Sequence, residues 1–153
     1  MAGFAGYGHA AMDLGFCPKV AEALDPNGDG YFTDGDNDKA LAEAEACLVS
    51  GSKRAYTSRA YVHRRLGKLD LATADINTAL SYGGDIYGAQ RLKCAMAFGA
   101  TRFDEAKQAC SAAIAANPKK AGGYFSQAGL YQALRDYPAA LASIETAASL
   151  SPR

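Results

Sequence analysis

The sequence lacks tryptophan, has only two histidines and contains no apolar run close to the ~20 residues that a membrane-spanning helix needs. It also lacks a C-x₂-C pair, which argues against a structural zinc site. No glycine-rich loop leads into a helix, as phosphate binding would require, and no Ser, Cys or carboxylate pair has a recognisable companion base. We therefore predict a soluble protein that is not an enzyme, in which neither His9 nor His63 is catalytic.

The compartment is not determined by the sequence. The first residues, MAGFAGYGHAAMDLGF, lack the basic segment and the unbroken apolar core of a signal peptide. The protein is therefore exported or periplasmic if a signal has been removed, and cytoplasmic otherwise. An even number of cysteines is compatible with two disulfide bonds in an oxidising compartment, and equally with four buried thiols in the cytosol. These cysteines are Cys17, Cys47, Cys94 and Cys110.

The net charge of zero hides a division of the chain into two halves of opposite charge. Residues 1–52 carry two basic side chains against nine acids, a net charge of −7, whereas residues 53–153 carry 14 against seven, a net charge of +7. Five aspartates lie between Asp25 and Asp38 with no basic residue among them. An acidic head on a basic body predicts either two different partners or docking of the head onto the body.

Small and apolar residues recur every 34 positions in the second part of the chain, and each column conserves size as well as polarity. Within each unit the apolar residues are spaced three, four and seven apart, which is typical of amphipathic helices. The columns include Ala60, Cys94 and Ala128; Leu69, Phe103 and Tyr137; Ala72, Ala106 and Ala140; Ile76, Cys110 and Ile144; and Ala79, Ala113 and Ala147.

Two breaks in each unit predict a pair of antiparallel helices per repeat. The predicted second helices begin near an aspartate, a residue suited to capping free N–H groups: Asp70, Asp104 and Asp136. Small residues at the contact positions let the paired helices approach closely. The predicted pairs are 53–66 with 70–81, 87–99 with 104–116, and 121–134 with 137–149.

The stretches AYTSRAYVHRRLGKLDLATADINTAL, RFDEAKQACSAAIAANP and YFSQAGLYQALRDYPAALASIETAASLSP resemble tetratricopeptide repeats. The resemblance implies an all-α fold, a right-handed superhelical stack of antiparallel helix pairs that binds other proteins. It departs from the usual pattern at Thr101 and Arg135, which replace a turn glycine. It divides the chain into a flexible Gly/Ala/aromatic tail (1–16), a helix-loop-helix (17–50) whose second helix caps the stack, and repeats at 53–86, 87–120 and 121–153.

The concave face of such a stack is lined by the first helix of each repeat. Cations at one end and aromatic residues at the other suit an acidic and then apolar peptide, although a solvated face with ordinary apolar lining accounts for the pattern equally well. The acidic head is itself a candidate occupant. The carboxylate clamp of chaperone-binding relatives is not matched, and nucleic acid is not expected because the basic residues form no continuous stripe. The predicted partner-binding residues are Arg54, Tyr61, Arg64, Arg91, Phe98 and Phe125.

Residues 25–36, DPNGDGYFTDGD, resemble the calcium loop of an EF-hand. The resemblance implies one Ca²⁺ site, although Asp36 stands where a longer glutamate is usual, which weakens the site and admits Mg²⁺. No second hand is present to pair with it, and an acidic turn without an ion is the alternative. The implied ligands are Asp25, Asn27, Asp29, the Tyr31 carbonyl, Thr33 and Asp36.

Two functions remain open. The first is a protein-interaction adaptor with a structural Ca²⁺ ion. The second is an accessory subunit of a larger assembly, which docks or self-associates through the tail and the last repeat, whose apolar surface no further repeat covers. Disulfide bonds are predicted as an alternative to reduced buried thiols, with Cys94 and Cys110 on facing helices and Cys17 and Cys47 as the further candidates.

Overall fold

The computed structural model describes residues 13–151, and this part of the chain is all-helical, with no strand. The predicted helix-loop-helix and the three predicted helix pairs are present, with ends that differ from the predicted ones by about two residues. The eight helices of the described part are α1 (Pro18–Leu24), α2 (Asn37–Val49), α3 (Ala55–Arg65), α4 (Leu69–Tyr82), α5 (Ile86–Gly99), α6 (Phe103–Ala116), α7 (Ala121–Ala133) and α8 (Tyr137–Leu150).

Each helix packs against the next one along the chain, so that α3 pairs with α4, α5 with α6 and α7 with α8. The first helices of successive pairs also contact one another, α3 with α5 and α5 with α7. These three helices therefore form one layer of a tetratricopeptide-like stack. We call the surface of this layer that carries Tyr61, Tyr87, Arg91, Gly122 and Ser126 the groove.

The 34-residue columns are the contact positions of the stack. Alanines at equivalent places of the second helices are buried, and so are the three small residues of the first helices, because a side chain of one or two heavy atoms lets two helix backbones approach closely. The column of Ile76, Cys110 and Ile144 is buried only in its first two members, and Ile144 on the last helix is 42% exposed. The buried small residues are Ala60, Ala72, Ala79, Cys94, Ala106, Ala113, Ala128, Ala140 and Ala147.

The turns inside the helix pairs use the left-handed backbone region whether or not glycine is present. Gly67 has φ 75°, and its counterparts Thr101 and Arg135 have φ 59° and 60°. In each turn the backbone N–H two residues after the end of the helix reaches back to a carbonyl of its last turn. Thr101 and Arg135 therefore adopt, with backbone strain, the left-handed conformation that glycine adopts easily.

The helix caps differ from the prediction at two of three places. Asp136 is the N-cap of α8, and its carboxylate accepts a hydrogen bond from the Ala139 N–H. Asp70 and Asp104 instead lie inside the first turns of α4 and α6, so they are not caps. There they still oppose the positive end of the helix dipole.

The N-terminal part of the chain contacts the stack in two places, through α2 and through residues 13–16. Helix α2 packs against both α1 and α3 and buries Ala40 and Ala44. Residues 13–16 were predicted to belong to the flexible tail, but the structure places them in the groove with Leu14 and Phe16 buried, because the groove offers partners for both charge and apolar surface. Residues 1–12, the rest of the predicted tail, lie outside the described residues.

Candidate functional site

A carboxylate-binding site lies at the α5–α7 end of the groove and is filled by Asp13. The Asp13 Oδ1 accepts hydrogen bonds from the Tyr87 hydroxyl at 2.8 Å and from the Arg91 Nη1 at 2.9 Å. Its Oδ2 accepts from the Gly122 backbone N–H at 2.8 Å. The Lys120 ammonium donates to the Asp13 main-chain carbonyl at 2.6 Å. One acidic residue is thus bound by four donors from two helices and the loop between α6 and α7.

The start of α7 is built to receive a carboxylate. The N–H groups of a first helical turn have no partner within the helix and carry the positive end of its dipole. Gly122 leaves room for the ligand, since a Cβ there would lie 2.7 Å from Asp13 Oδ1 and 2.5 Å from Arg91 Cζ. An alanine at this position would therefore push against both members of the ion pair.

The donors of this site are themselves held in place. The Arg91 Nε donates to the Ser126 hydroxyl at 3.3 Å, which orients the guanidinium toward Asp13, and the Arg91 side chain is only 11% exposed. Burial raises the pKa of the Tyr87 hydroxyl far above its usual range, so this group is a hydrogen-bond donor at any ordinary pH. The Lys120 ammonium also lies 4.9 Å from the centroid of the Tyr87 ring.

An aromatic pocket lies at the α3 end of the same groove and is filled by Phe16. Its ring centroid is 4.8 Å from that of Tyr61 and 6.2 Å from that of Phe32, which comes from the acidic loop. The Phe32 and Tyr61 rings meet edge to face at 5.8 Å. Arg65 supports the pocket from outside by donating its Nη2 to the Phe32 carbonyl at 2.8 Å. Burial of Phe16 therefore joins the groove, the acidic loop and α3.

The predicted partner-binding residues lie at different places on the first helices of the pairs. Tyr61 and Arg91 contact residues 13–16. Arg54 is the exposed N-cap residue of α3 and Arg64 is exposed near its end, so neither contributes to the site that holds Asp13. Phe98 packs against Phe103 at the turn between α5 and α6, with a centroid distance of 6.1 Å, and Phe125 is half-buried on α7.

Three residues of the site were not singled out as partner-binding in the sequence. These residues are Lys120, Tyr87 and Gly122. The signal that pointed to them was the charge division, because an acidic head next to a basic body predicts docking of one on the other. The particular donors depend on contacts between residues 74 to 109 positions apart.

The acidic loop is closed by hydrogen bonds between its own groups. The Asp25 carboxylate accepts from the N–H groups of Asp29 at 3.1 Å and Gly30 at 2.9 Å. The Asp29 carboxylate accepts from the Tyr31 N–H at 2.8 Å. The Asp36 carboxylate accepts from the Lys39 N–H at 3.0 Å and thereby caps α2. These are the local bonds by which aspartate stabilises turns and helix starts.

The predicted calcium ligands are engaged in hydrogen bonds of the loop or are exposed in this arrangement. Within residues 13–151 no group of three or more His, Cys, Asp or Glu side chains is close enough together to hold a metal. Asn27 donates to Asp34 at 2.9 Å instead of joining the other predicted ligands, and Thr33 is exposed. The Tyr31 residue, whose carbonyl was predicted to bind, is exposed as well. The loop also carries Phe32, which packs against Phe16 and Tyr61.

All four cysteines are paired. Cys94 of α5 is bonded to Cys110 of α6 with a Cα–Cα distance of 5.2 Å, and Cys17 is bonded to Cys47 of α2 with a Cα–Cα distance of 6.6 Å. Both distances are within the range that a disulfide bond spans. The second bond fastens the residue that directly follows Phe16.

A buried charge cluster joins α3 to α4, away from the groove. The Arg59 guanidinium donates two hydrogen bonds of 2.8 Å to the Asp75 carboxylate. The His63 Nε2 lies 3.8 Å from the same carboxylate, and its Nδ1 has no hydrogen-bond partner. This cluster ties α3 to α4 through a paired carboxylate that lies next to a buried imidazole.

The comparisons with known proteins agree with this architecture. Residues 53–82, which comprise α3 and α4 with the turn between them, match the family model of the tetratricopeptide repeat. No curated protein matches the chain at a significant level. None of the helices in the described part combines the length and apolarity that a membrane crossing requires. Residues 53–82 are therefore similar to a tetratricopeptide repeat, in agreement with the stack of consecutive helix pairs.

Proposed function

We propose that the protein is a non-enzymatic protein-protein interaction module whose groove binds an extended segment of a partner protein. The observation that carries this proposal is the seating of Asp13 on Arg91, Tyr87 and Gly122. Tetratricopeptide repeats are interaction scaffolds, and this groove already holds a stretch of chain in the way that a peptide site would.

The chemistry of the groove favours a segment that is acidic and then apolar. The carboxylate site supplies one guanidinium, one hydroxyl and one backbone N–H, all aimed at the same two oxygens. Charge-assisted hydrogen bonds of this kind are the strong ones, and they fix the register of the segment. The aromatic pocket of Tyr61 and Phe32 then supplies the apolar contact that dominates binding energy at interfaces.

The test is a charge reversal with a matched control. Arg91→Glu puts a carboxylate against the carboxylate site and should weaken capture of the native partner, isolated by crosslinking from the source, at least about tenfold. Lys119→Glu makes the same exchange on an exposed turn residue and should leave capture unchanged. Lys120 is no control, since it contacts Asp13. Equal capture by the Arg91 and Lys119 variants would show that the groove is not the partner site.

A second candidate function is an accessory subunit of a larger assembly. It is favoured by an exposed apolar stripe on α8, where Tyr137 is 60%, Leu141 57% and Ile144 42% exposed at helical spacing. The spacing of the apolar positions along this helix predicts docking through the last repeat. Self-association measured by light scattering should then rise with protein concentration, and Leu141→Glu should abolish the rise. A monodisperse monomer at every concentration argues for the adaptor instead.

We also propose a structural Ca²⁺ ion, with Mg²⁺ as a weaker competitor, in the acidic loop. The support is the order of oxygen ligands from Asp25 to Asp36 between two helices. Millimolar Ca²⁺ added to chelator-treated protein should raise the melting temperature, because the ion binds only the folded loop. Asp29→Ala should remove this increment, and an increment of zero in the unmodified chain would exclude the ion.

A further inference from the structure

We propose that residues 13–16, Asp-Leu-Gly-Phe, are a built-in competitor for the groove, and that the partner segment displacing them carries an acidic side chain followed three residues later by an aromatic one. The inference rests on the proposed function, since it names the chemistry of the segment that the groove binds. It adds that the free protein is self-occupied and that the partner binds by replacement.

The first support is the completeness of the carboxylate site. Both oxygens of Asp13 are bound, and its main-chain carbonyl is bound by Lys120, so the site recognises an acidic residue together with its backbone. The Asp13 side chain is 21% exposed although it carries a charge, and its cation Arg91 is 11% exposed. Displacement of Asp13 would break its ion pair with the largely buried Arg91 guanidinium, and the loss of such a pair is costly. A partner must therefore bring its own carboxylate.

The second support is the conformation of the chain between the two filled positions. Phe16 follows Asp13 by three residues, and residues 13 and 14 form a turn. Leu14 is buried between them, while Gly15 has φ 70°, a conformation that favours glycine. The aromatic pocket and Leu14 belong to the same buried cluster as α1. An incoming segment without an aromatic residue would leave that cluster open to water.

The third support is that, within the described part of the chain, residues 13–16 are anchored covalently only at their C-terminal end. The Cys17 N–H donates to the Ser58 hydroxyl at 3.1 Å, and Cys17 is bonded to Cys47, so the chain is fixed directly after Phe16. Residues 13–16 can thus be displaced while α1 stays in place. A tethered competitor has a high effective concentration, and it lowers the apparent affinity of any free segment by the fraction of time that the groove is open.

The experiment uses the full chain and a fluorescent peptide with the sequence of residues 11–16, AMDLGF, amidated at its end so that its only carboxylate is the aspartate. Asp13→Ala in the protein removes the three side-chain hydrogen bonds of the competitor and leaves the site intact. We expect it to lower the Kd of the peptide at least about tenfold relative to the unmodified chain. The control is Asp70→Ala, an exposed acid on α4, which should leave the Kd unchanged.

A second pair of variants tests the carboxylate site itself in the Asp13→Ala chain. Gly122→Ala inserts a methyl group where the carboxylate of the peptide binds and should raise the Kd about tenfold or more. Gly129→Ala makes the same exchange on the same helix, where a Cβ meets nothing within 4 Å, and should not change it. Peptides with asparagine in place of the aspartate, or alanine in place of the phenylalanine, should bind at least about tenfold more weakly.

The outcomes separate this inference from the proposed function. If Asp13→Ala leaves the Kd of the peptide unchanged while Arg91→Glu loses the native partner, the groove is the partner site but residues 13–16 are not its competitor, and the inference is wrong. Equal binding of the aspartate and asparagine peptides also overturns it. If the native partner binds the Arg91→Glu chain normally, the proposed function fails and the inference about its partner fails with it.

Discussion

His63 lies in a buried environment that shifts the pKa of its imidazole. Burial lowers its pKa from the ordinary value of 6.5, and the nearby cations Arg59 and Lys68 act in the same direction. Asp75 opposes them by attraction, but it is already paired with Arg59. The imidazole is therefore neutral in the folded protein at neutral pH, and folding is coupled to its deprotonation.

We predict that acidification destabilises the fold through His63. The unfolded chain binds the imidazole proton at pH 6.5, whereas the folded chain binds it only at lower pH, so the contribution to stability is present above 6.5 and is lost as the pH falls toward the lowered pKa. Urea unfolding between pH 7 and 5 measures this slope, and His63→Gln should flatten it. The His9→Gln chain is the reference for the second imidazole, and an unchanged slope in His63→Gln would contradict the assignment.

At the scale of the helices, most of the architecture could be predicted from the sequence, because the spacing of small and apolar residues that indicates each helix lies within a single repeat. The periodicity predicted a helix over 70–81, and the structure has Leu69–Tyr82. Helix starts were less well predicted: Asp70 marked the first turn of α4, yet the N-cap residue is Lys68. The pattern of buried residues fixes where a helix packs, whereas its end depends on backbone angles at one or two positions.

At the turns between paired helices we predict that two substitutions change stability in opposite directions. Gly67 has φ 75° and open space around its Cβ position, so Gly67→Ala should cost about 1 kcal/mol of unfolding free energy from backbone strain alone. Thr101 has φ 59° at the equivalent place, and Thr101→Gly should relieve the strain of a β-branched residue and stabilise by about 0.5 kcal/mol.

The control for these variants is Gly129→Ala, in the interior of α7 with nothing near its Cβ position. Alanine is the better helix former, so the same exchange that destabilises at Gly67 should stabilise here by about 0.5–1 kcal/mol. Urea unfolding of the single variants decides. If Gly67→Ala and Gly129→Ala change stability in the same direction, the left-handed turn is not what determines the effect.

At the scale of the whole molecule, the charge division predicted either two different partners or docking of the head on the body, but it did not indicate which residues would be in contact. Arg91 and Tyr61 were recognised because they share the inner face of successive first helices, a local and periodic feature. Gly122 was not, since its contribution is the absence of a side chain next to Asp13, which is 109 residues away along the chain. Contacts of this kind have no period, and only the assembled stack brings them together.

The two disulfide bonds should have different effects on the groove although they constrain the chain to a similar degree. The Cys94–Cys110 bond joins residues 16 positions apart and the Cys17–Cys47 bond residues 30 apart, and the loop-closure model gives about 3 kcal/mol for a loop of 15 residues, rising slowly with length. Replacing either pair by serine should therefore lower the unfolding free energy by a comparable amount.

Mass spectrometry of the alkylated, unreduced protein should first show no alkylated cysteine, and four alkylated cysteines would contradict both bonds.

Only the Cys17–Cys47 bond lies next to the segment that fills the groove, so only its removal should change peptide binding. Without it, the chain after Phe16 is fixed by the packing of α1 and the Ser58 hydrogen bond alone, residues 13–16 spend more time out of the groove, and the Kd of the AMDLGF peptide should fall. The Cys94–Cys110 pair joins α5 to α6 inside one repeat and serves as the matched control: its replacement should lower stability but leave the Kd unchanged. If both replacements change the Kd alike, the effect comes from lost stability of the stack, and the bond at Cys17 does not act as a tether.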